Sequence, residues 1–390
     1  MTEIQDEAAE FDFHGDALDD IFPVYKKMRD SCPVAHSDNY GGFWFLTKSD
    51  DIFAVEQDPE TWSVQPTMLV PPVADFPMIP IDIDLPELAE YRRILLPLFT
   101  PQALAAVEGS VRQVAQELAE KFMSSGETDA SGTYARPLPT IFFSRLAGFP
   151  EEDWPKFDHW VDSVFYDRVD DPEGLAIASQ EVRDYFDNLI DKYRDGTAAE
   201  AGTGTIMDYL LSAEINGKPL TREELISYCY LLFLGGLETT AWAIRASLWY
   251  LGQHLEAQQY LREHPEAIPA AAEEFLRTLS PVQGMGRTCK HDTVIRGQEI
   301  KEGDRVLLLF GAGNRDPEVY ENPDEIQIDR KENRHLAFGA GHHRCLGSNL
   351  GRRELVIGLE EFLRVVPEFT LGDPSEVWHG TGPLTINITN

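Results

Sequence analysis

A glycine-rich run that ends in a cysteine constrains this chain more than any other feature. The run lies within residues 335–354 and reads Phe338-Gly339-x-Gly341-x-His343-x-Cys345-x-Gly347. An apolar helical pattern follows Cys345, and a helix N-terminus favours thiolate over thiol. A buried thiolate needs a neutralising partner, and an iron porphyrin ligated by the cysteine is one. A core cysteine beside an ordinary Gly-rich turn is the simpler alternative.

The cysteine run resembles the haem-binding signature of the cytochrome P450 family, and every fixed position is filled. The resemblance implies a mainly α cytochrome P450 fold, in which a large helical region and a small β-rich region surround one haem b. It makes Cys345 the iron ligand and His343 a donor to a haem propionate. Phe338, Gly339 and Gly347 shape the cofactor site in this interpretation.

Two arginines elsewhere in the chain match the family's propionate-binding positions. Arg92 follows the start of a predicted helix, and Arg287 lies in an extended stretch after Ser280. A histidine is common in the family four residues before the first arginine, but Leu88 stands there in this chain. One propionate partner is therefore expected to be missing or supplied elsewhere.

A long apolar helix is predicted from a capping box at Thr221 and Glu224 to about His254. The run Gly235-Gly236-Leu237-Glu238-Thr239-Thr240 interrupts its apolar pattern. The run resembles the family's acid–alcohol pair, which implies that Thr239 hydrogen-bonds activated dioxygen and Glu238 relays protons, beside a groove at Gly235. A glycine-permitted helix crossing, with Glu238 paired to a distant arginine, is the alternative.

Glu274 and Arg277 stand three residues apart on one predicted helix. Such a pair alone is common and contributes little. The resemblance makes it the family's structural Glu-x-x-Arg, which pairs with a later arginine in the segment before the cysteine run.

One cytochrome P450 domain is predicted over residues 1–390. Its β-rich parts are expected at 35–70, 285–312 and 375–390, and its helical parts at 86–280 and 345–366. The net charge of −34 argues against nucleic acid or an anionic membrane as partner. Four scattered cysteines and an acidic N-terminus without a signal-peptide pattern predict a cytoplasmic protein.

The resemblance implies an EC 1.14 monooxygenase that inserts one oxygen atom from dioxygen into a small hydrophobic substrate. The form of the central helix and the loop before Arg92 look most like the camphor-hydroxylase branch, so a monoterpenoid or similar cyclic compound is expected. The predicted pocket residues are apolar: Val70, Phe76, Met78, Leu234, Val282, Met285 and Leu384.

Electrons are expected from a partner, because the chain has no flavin or nicotinamide fingerprint. The resemblance implies an iron–sulfur ferredoxin that is reduced by an NAD(P)H-dependent flavin reductase. Arginines near the cysteine are expected to form its docking patch. Two other functions stay open: a peroxygenase that uses hydrogen peroxide directly, and a non-catalytic haem-thiolate sensor or carrier.

Overall fold

Segments that are distant in sequence combine into two structural units. The computed structural model describes residues 3–14, 18–19, 21–166, 169–197, 204–373, 375–379 and 382–389. The first unit comprises Met1–Ala89, Leu276–Gln327 and Glu332–Cys345, and the second comprises Glu90–Phe275, Ile328–Lys331 and Leu346–Asn390. Whether they form one domain, as the sequence predicts, stays a prediction.

The first unit is built on a five-stranded sheet. Its strands, in spatial order, are Val34–Ser37, Phe43–Leu46, Arg305–Leu308, Met285–Cys289 and Trp62–Ser63. Only the contact between the second and third of these is parallel. A separate hairpin pairs Thr293–Ile295 with Gln298–Ile300. The helices wholly within this unit are Glu3–Ala9, Ile21–Ser31, Ser49–Gln57 and the short Phe310–Gly313.

The core of the first unit explains why the sheet and one helix stay together. Apolar residues of the strands, such as Leu46 and Val306, are fully buried and pack with Ile52 and Val55 of Ser49–Gln57. Burial of each such side chain stabilises the fold by about 1.5–3 kcal/mol. This packing fixes Glu56, which is the next residue of that helix.

The second unit is mainly helical. Its α-helices include Pro101–Ser125, Pro137–Ala147, Trp154–Val161, Pro172–Arg194, Ile206–Ser212, Arg222–Gln253, Leu255–Glu263 and Ser348–Val365. Two strand pairs accompany them: Glu214–Ile215 with Lys218–Pro219, and Phe369–Leu371 with Ile386–Ile388. Two further helices, Glu87–Leu95 and Ile268–Leu279, each contain residues of both units.

Arg222–Gln253, called the central helix here, packs against Pro137–Ala147, Pro172–Arg194 and Ser348–Val365. Its N-terminus carries the predicted capping box: Thr221 N donates to Glu224 Oε2 at 2.7 Å, and Glu224 N donates to Thr221 Oγ1 at 3.3 Å. Most of its side chains are buried, as expected for an apolar helix that is enclosed on several sides.

The structure tests three expectations about the elements. The central helix continues through Gly235 and Gly236 without a break, so the residues that interrupt its apolar pattern do not interrupt the helix itself. The helix after the cysteine begins at Ser348, three residues later than the apolar pattern indicated. The small hairpin at residues 214–219 lies inside the range predicted as helical, because two-residue strands carry almost no periodicity. Residues 380, 381 and 390 of the last β-rich range lie outside the described residues.

The described part of the chain holds no single helix with the length and apolar character needed to cross a membrane. One bent pair, Glu87–Phe99 with Pro101–Ser125, meets the criteria of length and composition when taken together, with a bend of 52°.

Candidate active site

The cysteine loop, residues 335–347, is shaped by hydrogen bonds and two left-handed glycines. Gly339 and Gly341 both have φ of 63°, a conformation that residues with a side chain rarely adopt. Gly339 N donates to Leu336 O at 2.8 Å, and Cys345 N donates to Phe338 O at 2.8 Å. The loop therefore folds back on itself and presents the cysteine at its end.

Cys345 is exposed on the protein surface, and its burial as a thiolate against a cofactor stays a prediction. The helix Ser348–Val365 begins three residues further along, so Cys345 is not part of its first turn. An exposed thiol at the end of a hydrogen-bonded loop is a suitable axial ligand for a haem iron.

Two of the three predicted propionate donors line one cavity of the first unit. Arg287 is buried on the strand Met285–Cys289, and His343 is half-buried in the cysteine loop. The cavity is lined by Val55, Glu56, Asp58, Pro59, Trp62, Val64, Asp84, Leu85, Arg287, His342 and His343. The guanidinium and imidazoles fit an anionic group such as a propionate, although three carboxylates accompany them. Arg92 lies in the second unit on Glu87–Leu95, where it is half-buried.

Glu238 lies inside the second unit and contacts residues that the sequence did not reveal. Its carboxylate accepts a hydrogen bond from the Tyr166 hydroxyl. Arg136 lies close enough to stabilise its negative charge and donates to Asp158 at 2.8 Å and to Asp162 at 2.5 Å. Burial raises the pKa of Glu238 to about 7, against the opposing effects of Tyr166 and Arg136.

Thr239 differs from its neighbour because adjacent helical residues point about 100° apart. It is only half-buried, and its hydroxyl donates to the Gly235 carbonyl oxygen at 3.1 Å. Gly235 itself is exposed, and a Cβ placed on it would have no atom within 4 Å. The central helix is therefore largely buried but accessible at Gly235 and Thr239. Such an accessible face is suited to contact a ligand.

Gly236 has the opposite environment to Gly235. A Cβ at this position would come within 2.7 Å of the Phe143 ring on Pro137–Ala147. The close helix crossing therefore occurs at Gly236, whereas the role of Gly235 in a ligand groove stays a prediction. Gly236 permits a close helix crossing, and Gly235 leaves open space.

Glu274 and Arg277 have the structural contacts that the resemblance implied. Arg330, in the segment before the cysteine loop, donates from Nε to both carboxylate oxygens of Glu274, at 3.0 and 3.1 Å. In the first unit, the fully buried Arg277 donates to three backbone carbonyls between residues 314 and 325, at 2.7–3.0 Å. These contacts hold the chain that leads to the cysteine loop.

The predicted pocket residues fall into two groups by exposure. Phe76, Val282 and Met285 are half-buried in the first unit and retain accessible surface. Four others are at most 8% exposed and are packed as core residues: Val70, Met78, Leu234 and Leu384. The contribution of all seven to a substrate pocket stays a prediction.

Several partners in the site carried no signal in the sequence. Tyr166 and Arg136 are distant from Glu238 in sequence, and neither belongs to a motif that points to it. Glu56, which pairs with Arg287, lies at the end of a helix among other acidic residues. Only tertiary structure brings each of these residues to its partner.

Comparisons with known proteins identify the family to which the chain is similar. The family model described as Cytochrome P450 matches residues 149–268 and 266–372. Cytochrome P450 130 of Mycobacterium tuberculosis is 30% identical over 92% of this chain and 91% of its own length. Linalool 8-monooxygenase of Pseudomonas putida is 29% identical over 89% of each chain. The solved structure of PksS, a Bacillus subtilis bacillaene polyketide synthase cytochrome P450, covers 97% of each chain at 30% identity, with a TM-score of 0.84.

The fold and the cysteine loop thus define a haem-thiolate oxidoreductase. The chain belongs to the cytochrome P450 family, whose members are monooxygenases that hold haem b through a cysteine thiolate. The relatives include bacterial proteins of the 107, 109 and 130 types, and the expected closeness to the camphor-hydroxylase branch is not supported.

Proposed function

We propose that this chain inserts one oxygen atom of dioxygen into a small hydrophobic substrate, with Cys345 as the haem-iron ligand. The observation that supports this proposal is the accessible face of the central helix at Gly235 and Thr239. The buried acid Glu238 is the residue next to Thr239. Haem b bound through a thiolate supplies the reductive activation of dioxygen. The roles of the protein groups follow from their positions.

Glu238 holds and moves a proton at its carboxylate. A carboxyl with a pKa of about 7 is protonated in roughly half of the molecules at neutral pH, which suits a group that both donates and accepts protons. Tyr166 orients it by hydrogen bonding, and Arg136 limits the rise of its pKa.

Thr239 delivers a proton at its hydroxyl on the open side of the helix. At rest this hydroxyl is directed to the Gly235 carbonyl. Rotation about its Cα–Cβ bond, or an intervening water, allows it to hydrogen-bond a reactant instead. The apolar residues beside the site exclude other water and orient the substrate.

The proposed partners of the haem propionates are His343, Arg287 and Arg92. The proposed loop positions around the cofactor are Phe338, Gly339 and Gly347. His343 and Arg287 share a cavity, which supports the first two assignments. No histidine precedes Arg92 by four residues, since Leu88 is there and is buried.

We further propose a monoterpenoid or similar cyclic substrate. The relative named linalool 8-monooxygenase supports this choice, as do the apolar half-buried Phe76, Val282 and Met285. An iron–sulfur ferredoxin, reduced by an NAD(P)H-dependent flavin reductase, is the proposed electron source, and the cytoplasm the proposed location.

Optical titration of the purified ferric protein with linalool and a panel of cyclic terpenoids tests the proposed substrate class. Displacement of water from the iron should shift the Soret band to the high-spin form, saturably and with one chemotype. No shift with any of them contradicts the substrate class while the haem assignment stands. Turnover with hydrogen peroxide alone, at the rate of the reductase-driven reaction, would favour the peroxygenase instead.

A further inference from the structure

A buried ion pair lies next to the cysteine loop in the first unit. The Glu56 and Arg287 side chains are 1% and 4% exposed. Arg287 Nη2 donates to Glu56 Oε1, and Arg287 Nη1 donates to the Gly286 carbonyl at 2.8 Å. Such a pair leaves the guanidinium with little net charge toward its surroundings.

The same carboxylate also holds the cysteine loop. Ala340 N, between the two left-handed glycines, donates to Glu56 Oε2. A Cβ on Gly341 would come within 2.0 Å of the Glu56 carbonyl oxygen, so the loop backbone lies directly against this residue. Glu56 therefore connects Arg287 to the loop that ends in Cys345.

The cavity shared by Arg287 and His343 is not cationic. Glu56, Asp58 and Asp84 also line it, and Asp84 accepts from Val64 N at 2.9 Å and from Ser63 Oγ at 2.5 Å. Three carboxylates against one guanidinium and two histidines do not give the net positive charge that would anchor an anion strongly.

We infer that Glu56 partly neutralises Arg287 at the cofactor site, so that Arg287 orders the cysteine loop through Glu56 and holds a haem propionate less strongly than an unpaired arginine would. The inference rests on the proposed function, because it assumes that haem b binds at Cys345. Glu56 is then a positioning residue that also lowers the ferric/ferrous potential, since a nearby negative charge favours the more positive ferric state.

Haem loss from the holoenzyme to excess apomyoglobin, together with the ferric/ferrous midpoint potential, tests this inference. The Glu56→Gln variant keeps the size and an acceptor but removes the charge, so Arg287 becomes available to a propionate. We expect haem loss to slow on the order of tenfold, the effect of one charge-assisted hydrogen bond. The midpoint potential should become more positive. The exposed Glu60→Gln change on the same segment is the matched control and should alter neither.

The double variant Glu56→Gln/Arg287→Gln keeps the test decisive if the single variant folds poorly. Replacement of both charges leaves a neutral pair, which buried sites often tolerate. We expect haem loss within about threefold of the wild type. Much faster loss from the double variant, or an unchanged or more negative potential in Glu56→Gln, overturns the inference. A wild-type protein without a haem-thiolate spectrum would instead contradict the proposed function.

Discussion

Glu238 and Thr239 are neighbours in one short motif, yet they have different surroundings. Glu238 is enclosed and accepts from Tyr166, whereas Thr239 lies on an open face and donates to Gly235. Helical geometry produces this division, because consecutive side chains point in different directions. The acid is thus shielded from reactants, and the alcohol is accessible to them.

The raised pKa of Glu238 leads to a pH prediction. The protonated form is favoured in the folded protein, so the stability contributed by Glu238 is full below about pH 4.5 and is lost as the pH rises through about 7. If the protonated acid supplies the proton, the fraction of NAD(P)H electrons recovered in product falls over the same upper range. We expect this fall between about pH 6 and pH 8 in the wild type and a flat profile in Glu238→Gln.

The exposed Glu223 of the same helix is the matched control for this pH profile. Glu223→Gln should keep the wild-type curve. A Glu238→Gln enzyme that retains the pH dependence would show that another group titrates.

Removal of the Thr239 hydroxyl should separate electron consumption from product formation. In Thr239→Ala we expect the ratio of product to consumed NAD(P)H to fall on the order of tenfold, with hydrogen peroxide released instead. Ser247 on the same helix donates to the carbonyl four residues back at 2.7 Å, as Thr239 does. Ser247→Ala therefore controls for loss of that helix contact and should keep the ratio, and an equal fall in both variants would contradict the proposed role.

At the residue level, the sequence identified what lies in local motifs. The cysteine run, the acid–alcohol pair and Glu274 were all recognised from their resemblance to motifs of the family. Tyr166, Arg136 and Glu56 could not, because a single tyrosine, arginine or glutamate gives no pattern. Their importance arises from burial next to a charge that lies far away in the chain.

The central helix shows how one element combines packing with function. Its capping box and apolar surface were predictable from the sequence. Its course through Gly235 and Gly236 also agrees with the predicted span, because glycine lowers helix propensity without forbidding the helix. The different surroundings of the two glycines were not predictable. Side-chain contacts from Pro137–Ala147 decide what each glycine does.

Alanine at these two glycines should have opposite effects on stability. Gly235→Ala meets no atom within 4 Å and gains helix propensity, so the free energy of unfolding of the haem-depleted protein should rise by up to about 1 kcal/mol. Gly236→Ala forces the Phe143 ring aside and should lower it by about 1–3 kcal/mol. Denaturant unfolding measures both changes.

The Gly235→Ala change, which should stabilise the haem-depleted protein, should impair ligand binding. In the holoenzyme, Gly235→Ala should weaken substrate binding in the optical titration, because its methyl group enters the open face. If Gly235→Ala destabilises the haem-depleted protein as strongly as Gly236→Ala does, the open face is not present.

At the scale of the whole molecule, the large negative net charge affects which electron donor can bind. The net charge of −34 disfavours an acidic electron donor. Three of the arginines expected to attract one have carboxylate partners. Arg352 Nε lies 2.6 Å from Glu273 Oε1, Arg353 pairs with Glu108, and Arg93 pairs with Glu90. A strong basic patch is therefore not expected from these three residues.

The ion pair between Arg352 and Glu273 allows ferredoxin docking to be tested from both partners. Arg352→Glu should slow ferredoxin-driven reduction several-fold at low salt, whereas Glu273→Gln should accelerate it by releasing the arginine's charge. Chemical reduction by dithionite is the control and should not change in either variant. Equal slowing by both routes in Arg352→Glu, or slower ferredoxin-driven reduction in Glu273→Gln, would contradict docking at this surface.

The absorption spectrum of the ferrous protein with carbon monoxide tests the central claim most directly. We expect wild type to give the red-shifted Soret band of thiolate-ligated haem, and Cys345→Ser to lose it even where haem is retained. Cys32→Ser, at the other incompletely buried cysteine, is the matched control and should keep the band. The same band in Cys345→Ser as in wild type would show that another residue ligates the iron and would contradict the account.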